Sequence, residues 1–269
     1  MPPLIFYGGF LHMIQFCNLY SGSSGNCTYV ATDNTKILVD AGVSCNKIVK
    51  ALNEIDIELD DIDAIIITHE HSDHTKGLTT ISKKYHIPVY ANIKTWHMIE
   101  SLNVTDTCKF IYSSNKEFEI GDLKIYPFSI PHDAADPCGF SIFAEDKKIT
   151  IATDIGHVTE GVLHQMENSD ILMLESNYDD ETLKCGPYPY QLKKRIMSSD
   201  GHLSNEEAGK ALAYLSKNNV QNIVLGHLSK ENNFPELAYQ TVYNEIDANG
   251  HICNLSVASR DFIDPMITL

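Results

Sequence analysis

The residues with most chemistry in this chain sit in one run: His69-Glu70-His71-Ser72-Asp73-His74. Three histidines and an aspartate fall within six positions, in the order H-x-H-x-D-H. Imidazole and carboxylate are ligands for zinc, manganese or iron. Histidines at i and i+2 of extended backbone point the same way. Asp73 and His74, just after them, can turn towards a second ion, so one short loop can serve two cations. A lone histidine is usually a surface or satisfied core residue. Three in six positions, drawn from 12 in 269 residues and placed directly after the apolar run 64–67, point instead to metal.

A loop of this kind needs strands to hold it. Apolar runs of strand type recur at 14–20, 28–32, 36–40, 63–68, 88–91, 109–112, 123–128, 139–144, 148–152, 171–175, 221–226 and 252–257. Helical patterns fall between them at 44–54, 75–85, 93–101, 158–166, 189–198, 204–217 and 234–248. The fold class is α/β. A doubly wound parallel sheet would give a similar alternation, but the closely spaced strands at the start and middle suit hairpins, and hence two mixed sheets. No repeat, low-complexity tract or Pro/Gly-rich linker divides the chain.

The H-x-H-x-D-H run resembles the metallo-β-lactamase superfamily of metallohydrolases. Further matches follow in order: His132 in Ile130-Pro131-His132-Asp133-Ala134, Asp154 in Ile151-Ala152-Thr153-Asp154, His227 in Val224-Leu225-Gly226-His227, and Asp40 closing Lys36-Ile37-Leu38-Val39-Asp40. The resemblance covers residues 14–258. It implies an αββα sandwich of two mixed β-sheets with outer helices. It also implies two metal sites. His69, His71 and His132 would hold one, Asp73, His74 and His227 the other, with Asp154 bridging. That set of five His and two Asp does not choose among zinc, manganese and iron. Residues 13–269 are expected to form one such domain with residues 1–12 as an N-terminal extension. The 73 positions from Asp154 to His227 are already used by core patterns, leaving no room for an inserted second domain.

Two metals about 3.5–4 Å apart make a bridging hydroxide available near neutral pH and polarise a carbonyl or phosphoryl group. No serine or cysteine nucleophile is then needed. Asp73 can double as a catalytic proton acceptor. Asp40 can orient a ligand histidine from behind it, or simply end a strand before Gly42. Glu175, closing the run 171–174, can support a ligand in the same way or be an exposed strand end.

Composition bounds the setting. The chain is 43% hydrophobic and 21% charged, ordinary for a globular protein. Seven scattered cysteines with no C-x-x-C pair favour free thiols in a reducing cytoplasm. No stretch reaches the ~20 apolar residues that span a bilayer. A net charge of −16 disfavours a broad nucleic-acid surface, although a local basic groove remains open.

The substrate is read from a second segment. Lys193, Lys194 and Arg195 form the densest basic cluster, and Arg195 is one of two arginines. Gly201-His202-Leu203-Ser204-Asn205 follows, and Ser204 to Glu207 fits a capping box opening a helix. A helix N-terminus presents amides to phosphate. Lys193, Arg195, His202, Ser204 and Asn205 are therefore candidate phosphate contacts, and His202 a candidate catalytic acid. Solvated charges and an ordinary cap would look the same. Together with Ser21-Gly22-Ser23-Ser24-Gly25-Asn26, Pro131-His132-Asp133-Ala134 and Glu175-Ser176-Asn177, this segment resembles the small WalJ/YycJ-related branch of the superfamily. That branch is associated with metal-dependent 5′-to-3′ exonuclease action on DNA. Residues 21–26 by themselves suit a tight turn or an anion nest. His157 is close enough in sequence to Asp154 to approach the metals or to cap a helix.

Three functions follow. The leading one is a dinuclear metal phosphodiesterase, a 5′-to-3′ exodeoxyribonuclease acting on DNA, with no membrane attachment and with protein partners unspecified. The second is a hydrolase of small esters, thioesters or lactams. The third is a non-catalytic metal-binding regulatory protein, with a redox di-iron site as a variant that lacks a visible flavin domain.

Overall fold

The structure, a computed structural model, describes residues 13–249 and 253–269. The expected extension at residues 1–12 lies outside the described residues, as does the start of the run expected at 252–257.

The chain opens with β1 (Gln15–Tyr20), β2 (Cys27–Ala31), β3 (Lys36–Val39), α1 (Cys45–Asn53), β4 (Ala64–Ile66), α2 (Ser72–Thr75), α3 (Leu78–Lys84), β5 (Val89–Ala91), α4 (Ile93–Met98) and β6 (Lys109–Ile111). It continues through β7 (Phe118–Ile120), β8 (Leu123–Ser129), β9 (Cys138–Ala144), β10 (Lys147–Ala152), α5 (Glu160–Met166), β11 (Ile171–Glu175), α6 (Asp180–Cys185), α7 (Tyr190–Ile196), α8 (Asn205–Leu215), β12 (Asn222–Gly226), α9 (Pro235–Ala248), β13 (Asn254–Val257) and β14 (Ile267–Thr268).

The strands form two seven-stranded sheets, ordered β14-β1-β2-β3-β4-β5-β6 and β13-β12-β11-β10-β9-β8-β7. Both are mixed. β3 to β6 pair in parallel, as do β10 to β13; hairpins supply the other pairs except β1 with β14, which join antiparallel from distant parts of the chain. This is the expected αββα sandwich.

Strand periodicity explains the layering. Ile37, Val39, Ala64 and Ile66 from the first sheet share one buried cluster with Phe140, Ile142, Ile171 and Met173 from the second. Their alternates Leu38 and Ile65 face α1 and α3 instead, while Leu172 and Leu174 face α5 and α8. These central strands are buried on both faces, so they read as continuous apolar runs. Each fully buried Ile or Leu contributes about 1.5–3 kcal/mol.

Some boundaries differ from expectation. The helix expected over 75–85 is α3 alone, beginning only at Leu78, with Gly77 between it and the separate turn α2. A β-carbon at Gly77 would crowd the carbonyls of Val43 and Ala41, so the chain passes there without a side chain. β7, β14 and α6 have no counterpart among the expected elements.

Candidate active site

Every candidate ligand follows the carboxyl end of a strand. Asp40 comes after β3, the His69–His74 run after β4, His132 after β8, Asp154 after β10, and His227 after β12, while Glu175 closes β11. Parallel strands align these ends, and hairpins return β8 to the same edge. Three of these residues, Asp40, Asp154 and His227, hold left-handed backbone with φ of 65°, 58° and 56°. Such φ costs a non-glycine residue roughly 1–2 kcal/mol and persists only where surroundings enforce it. Here the Asp40 N–H donates to Ile66 O, and the His227 N–H donates to the Ser21 hydroxyl.

Three imidazoles converge on one point. His69 Nε2 lies 3.0 Å from His71 Nδ1, and His132 Nε2 lies 3.4 Å from the same atom. Beside them, His74 Nε2 and His227 Nε2 each stand 3.7 Å from Asp73 Oδ2. Asp154 lies between the groups. One oxygen is 3.7 Å from His132 Nε2 and 3.4 Å from His227 Nε2, and the other is 3.2 Å from His74 Nε2. The donor atoms of each triad lie within 4.8 Å of one another.

The far side of each ring is held too. His74 Nδ1 donates to Asp40 Oδ2 at 2.8 Å, and Asp40 also accepts from the Thr68 amide. His132 Nδ1 donates to Gly201 O. Glu175 Oε1 accepts from both His202 Nδ1 and His227 Nδ1, each at 2.8 Å, while its Oε2 takes the Ile155 amide. These bonds turn the Nε2 atoms of His74, His132 and His227 inwards.

These residues fit divalent cations. Asp154 Oδ2 and His227 Nε2 are buried without a hydrogen-bond partner. An unsatisfied buried polar atom costs about 1–3 kcal/mol, and a cation satisfies both. The electrostatics agree. Burial, helped by neighbouring imidazoles, holds His69 well below the usual histidine range, in its neutral ligating form. Burial also lowers His132. At His74 burial is outweighed by Asp40 and Asp154, which hold it well above that range. At His227 burial is outweighed by Asp154, Asp73 and Glu175, and its pKa rises to about 10. The carboxylates of the pocket thus demand positive charge, and without a cation the histidines supply it as protons.

The triads open onto a cleft of about 340 Å³ whose walls include Asp133, Tyr188, Leu192, Arg195, His202 and Ser229. Arg195 reaches it from α7, its Nε donating to Asp133 Oδ2. His202 lines it, and Glu175 outweighs burial to raise its pKa. Lys193 does not. Its ammonium donates to Lys184 O, turned back along the preceding helix. Ser204 and Asn205 do not reach it either. The Ser204 hydroxyl caps α8 by accepting from the Glu207 amide. Asn205, 1% exposed, accepts from the Ser176 hydroxyl and exchanges hydrogen bonds with Asn233. The capping signature was a real cap, and the helix it opens turns Asn205 inwards while Glu206 and Glu207 face solvent. His157 belongs to neither triad and meets Ser199 O instead.

Several participants were not among the site residues expected from the sequence. Asn177 donates to His227 O, Asn26 lies 3.0 Å from His74 Nε2, and Thr68 bridges Asp40 and His69. Glu70, the spacer inside the histidine run, accepts from the Ala135 amide and so anchors the loop that carries His132 and Asp133. The phrase Glu175-Ser176-Asn177 contained the one local signal for Asn177.

Comparison with known proteins follows the same lines. A family model described as a beta-lactamase superfamily domain matches residues 35–228. The chain is 43% identical over 236 residues to exodeoxyribonuclease WalJ of Streptococcus pneumoniae serotype 2 (strain D39), covering 86% of this chain and 88% of that protein. It is 38% identical over 239 residues to exodeoxyribonuclease YycJ of Bacillus anthracis, covering 88% and 90%. Among solved structures, the metallo-beta-lactamase fold protein YhfI of Bacillus subtilis superimposes with a TM-score of 0.70 at 14% identity, covering 94% of this chain and 99% of that one. That likeness concerns the fold.

Proposed function

Because the chain belongs to the metallo-β-lactamase superfamily, in its WalJ/YycJ-like branch, we propose that it is a metal-dependent exodeoxyribonuclease, acting 5′ to 3′ with two divalent cations. Zinc, manganese and iron all suit the ligand set. The observation that carries the reading is the pair of triads around Asp154, whose Oδ1 lies 3.4 Å from the buried His227 Nε2, an atom with no hydrogen-bond partner. The identity to named exodeoxyribonucleases supports DNA as the substrate class.

His69, His71 and His132 would hold one cation and Asp73, His74 and His227 the other, with Asp154 shared. When bound, such ions supply hydroxide near neutral pH and stabilise charge on a phosphoryl group. The chain does the rest. Asp40 and Glu175 fix the tautomers of the ligand histidines. Asp73, partly exposed at the cleft, accepts a proton through the oxygen not turned to His74 and His227. His202, its Nδ1 tied to Glu175, keeps Nε2 for the departing oxygen and delivers a proton there. Arg195 spends Nε on Asp133 and keeps its terminal N–H groups for phosphate. Free cysteines, present at all seven positions, suit a reducing cytoplasm. No described helix is long and apolar enough to cross a membrane.

The test is digestion of 5′-phosphorylated duplex DNA, labelled at one end or the other, by metal-loaded protein. Mononucleotides should leave from the 5′ end, and His71→Ala should abolish their release. Chromogenic esters, thioesters and lactams, run beside bis-p-nitrophenyl phosphate, test the small-substrate alternative. The reading fails if metal-loaded wild type leaves every DNA intact.

A further inference from the structure

One loop that no step above uses is tied by a hydrogen bond to Leu228, which stands between the cleft-lining His227 and Ser229. It joins β13 to β14 and carries Arg260 and Phe262. Phe262 is 77% exposed, more than any other large hydrophobic side chain described. Leaving such a ring in water forfeits burial energy, so its setting matters.

The loop is firmly tied. Asp264 accepts from the Ser259 amide at 3.0 Å and from Asn18 Nδ2 at 2.8 Å, and its own amide donates to Asn18 O. Asn18 is fully buried and also donates to Ser259 O at 3.0 Å. The loop's two ends are thus clamped to β1 and to each other, and Phe262 stands out from a fixed base.

Arg260 connects this loop to the cleft. Its Nη2 donates to Leu228 O at 3.0 Å. Leu228 lies between His227 and Ser229, both cleft-lining. A β-carbon on Gly22 would stand 3.5 Å from Arg260 Nε, and Gly22 precedes the cleft-lining Ser23. The remaining guanidinium N–H groups meet no acceptor among the described residues. The chain has two arginines in all; Arg195 lines the cleft from α7, and Arg260 bonds the backbone between two of its lining residues. In a chain of net charge −16 that placement concentrates the phosphate-matching side chains where a strand would leave the site.

We propose that the 258–264 loop is a strand-binding platform continuous with the cleft, on which Phe262 stacks a base and Arg260 holds a neighbouring phosphate. The proposal rests on the nuclease reading and adds to it where the DNA outside the cleft is gripped. A cleft of about 340 Å³ is close to the lower limit for small-molecule pockets. It takes the reacting end and leaves the rest of the strand to be held elsewhere. Stacking on an exposed ring is sequence-tolerant and needs little net positive charge, which suits an acidic protein whose loop also contains Asp261.

The experiment measures KM and kcat of the metal-loaded protein on single-stranded oligonucleotides of increasing length. Wild-type KM should fall as the strand grows past the cleft. Phe262→Ala should remove that gain, raising KM for long strands roughly 5- to 100-fold, as expected for one lost stacked base, with kcat nearly constant. Phe262→Tyr should restore the length dependence and Phe262→Leu should not, although leucine is also apolar. Arg260→Ala should raise KM for long strands as well. Tyr243→Ala, an exposed aromatic on α9, serves as a control and should leave KM in place.

Binding is read separately. Trp96, the one tryptophan of the chain, is buried. Phe262→Trp therefore adds an exposed fluorophore, which nuclease-resistant phosphorothioate DNA should quench. A length dependence unaltered in Phe262→Ala, or no quenching in Phe262→Trp, overturns the platform while DNA digestion by wild type still stands. Loss of the nuclease reading shows instead in wild type, before any variant is compared.

Discussion

A single oxygen of Glu175 accepts from two histidines, one from each of two separate segments. His202 comes from the turn before α8 and His227 from the end of β12, and both Nδ1 atoms sit 2.8 Å from it. Glu175 is fully buried, and although burial opposes ionisation, His202 and His227 hold its pKa below the usual carboxylate range. Replacing the charge while keeping the shape isolates this role. Glu175→Gln is expected to weaken metal binding about 10- to 100-fold, measured by competition with a chromophoric chelator. Unchanged affinity in a folded variant would mean that His227 needs no orienting carboxylate. At this scale the histidine run was readable from its own spacing, whereas His132, Asp154 and His227 were named through the family resemblance, and the fold brings their side chains beside that run. Asn205 shows where legibility stops. Its segment announces a helix start, but whether the side chain faces substrate or the Ser176–Asn233 network depends on how α8 docks.

Three loops meet where Gly42 passes beneath the His69–His74 run. The Asn26 amide donates to Asp73 O, and the Gly42 amide donates to Asn26 O, both at 2.8 Å. A β-carbon on Gly42 would collide with the Asp73 carbonyl. The 21–26 turn, the segment after β3 and the start of α2 are therefore one packed unit, and Ser21-to-Asn26 acts first as a structural turn. Gly42→Ala is expected to cost about 1–3 kcal/mol or more of stability, as overpacking does, and to displace Asp73. Chemical denaturation and metal titration would check both, and a variant as stable as wild type with full metal affinity would show that the loops part freely. The long buried strands were readable in sequence from their apolar periodicity. β7 and β14 were not, because Phe118-Glu119-Ile120 and Ile267-Thr268 stand in no longer apolar run, and their pairing partners β8 and β1 define them.

Across the whole molecule, the site joins the two sheets at one edge. His69, His71, Asp73 and His74 come from the first sheet, and His132, Asp154 and His227 from the second. A cation there would tie the layers together and would bind only the folded state. Chelation is expected to lower stability by about 3–4 kcal/mol when the metal had been present at several hundred times its dissociation constant, seen as a drop in Tm. The pH dependence should change as well. In metal-free protein the pKa of His227 is raised from 6.5 to about 10. Its stabilising contribution is full below pH 6.5 and is lost as pH rises through about 10. Metal replaces those protons, so the metal-loaded protein should hold its Tm across that window while the chelated one declines. Parallel pH profiles of the two forms would contradict this account.

The sequence by itself determined which donor types are available, that strands deliver them, and that the chain folds as two mixed sheets between helices. Those properties are local: strand period, strand ends and ligand chemistry are written in neighbouring residues. Only the tertiary structure decided which side chains share the pocket. It brought Arg195 to Asp133, turned Lys193 away, buried Asn205, joined His202 to His227 through Glu175, and set Arg260 beside the cleft. These pairings span from 25 to more than 60 positions or cross between elements, and their geometry follows from how the layers and loops pack, which no local pattern encodes.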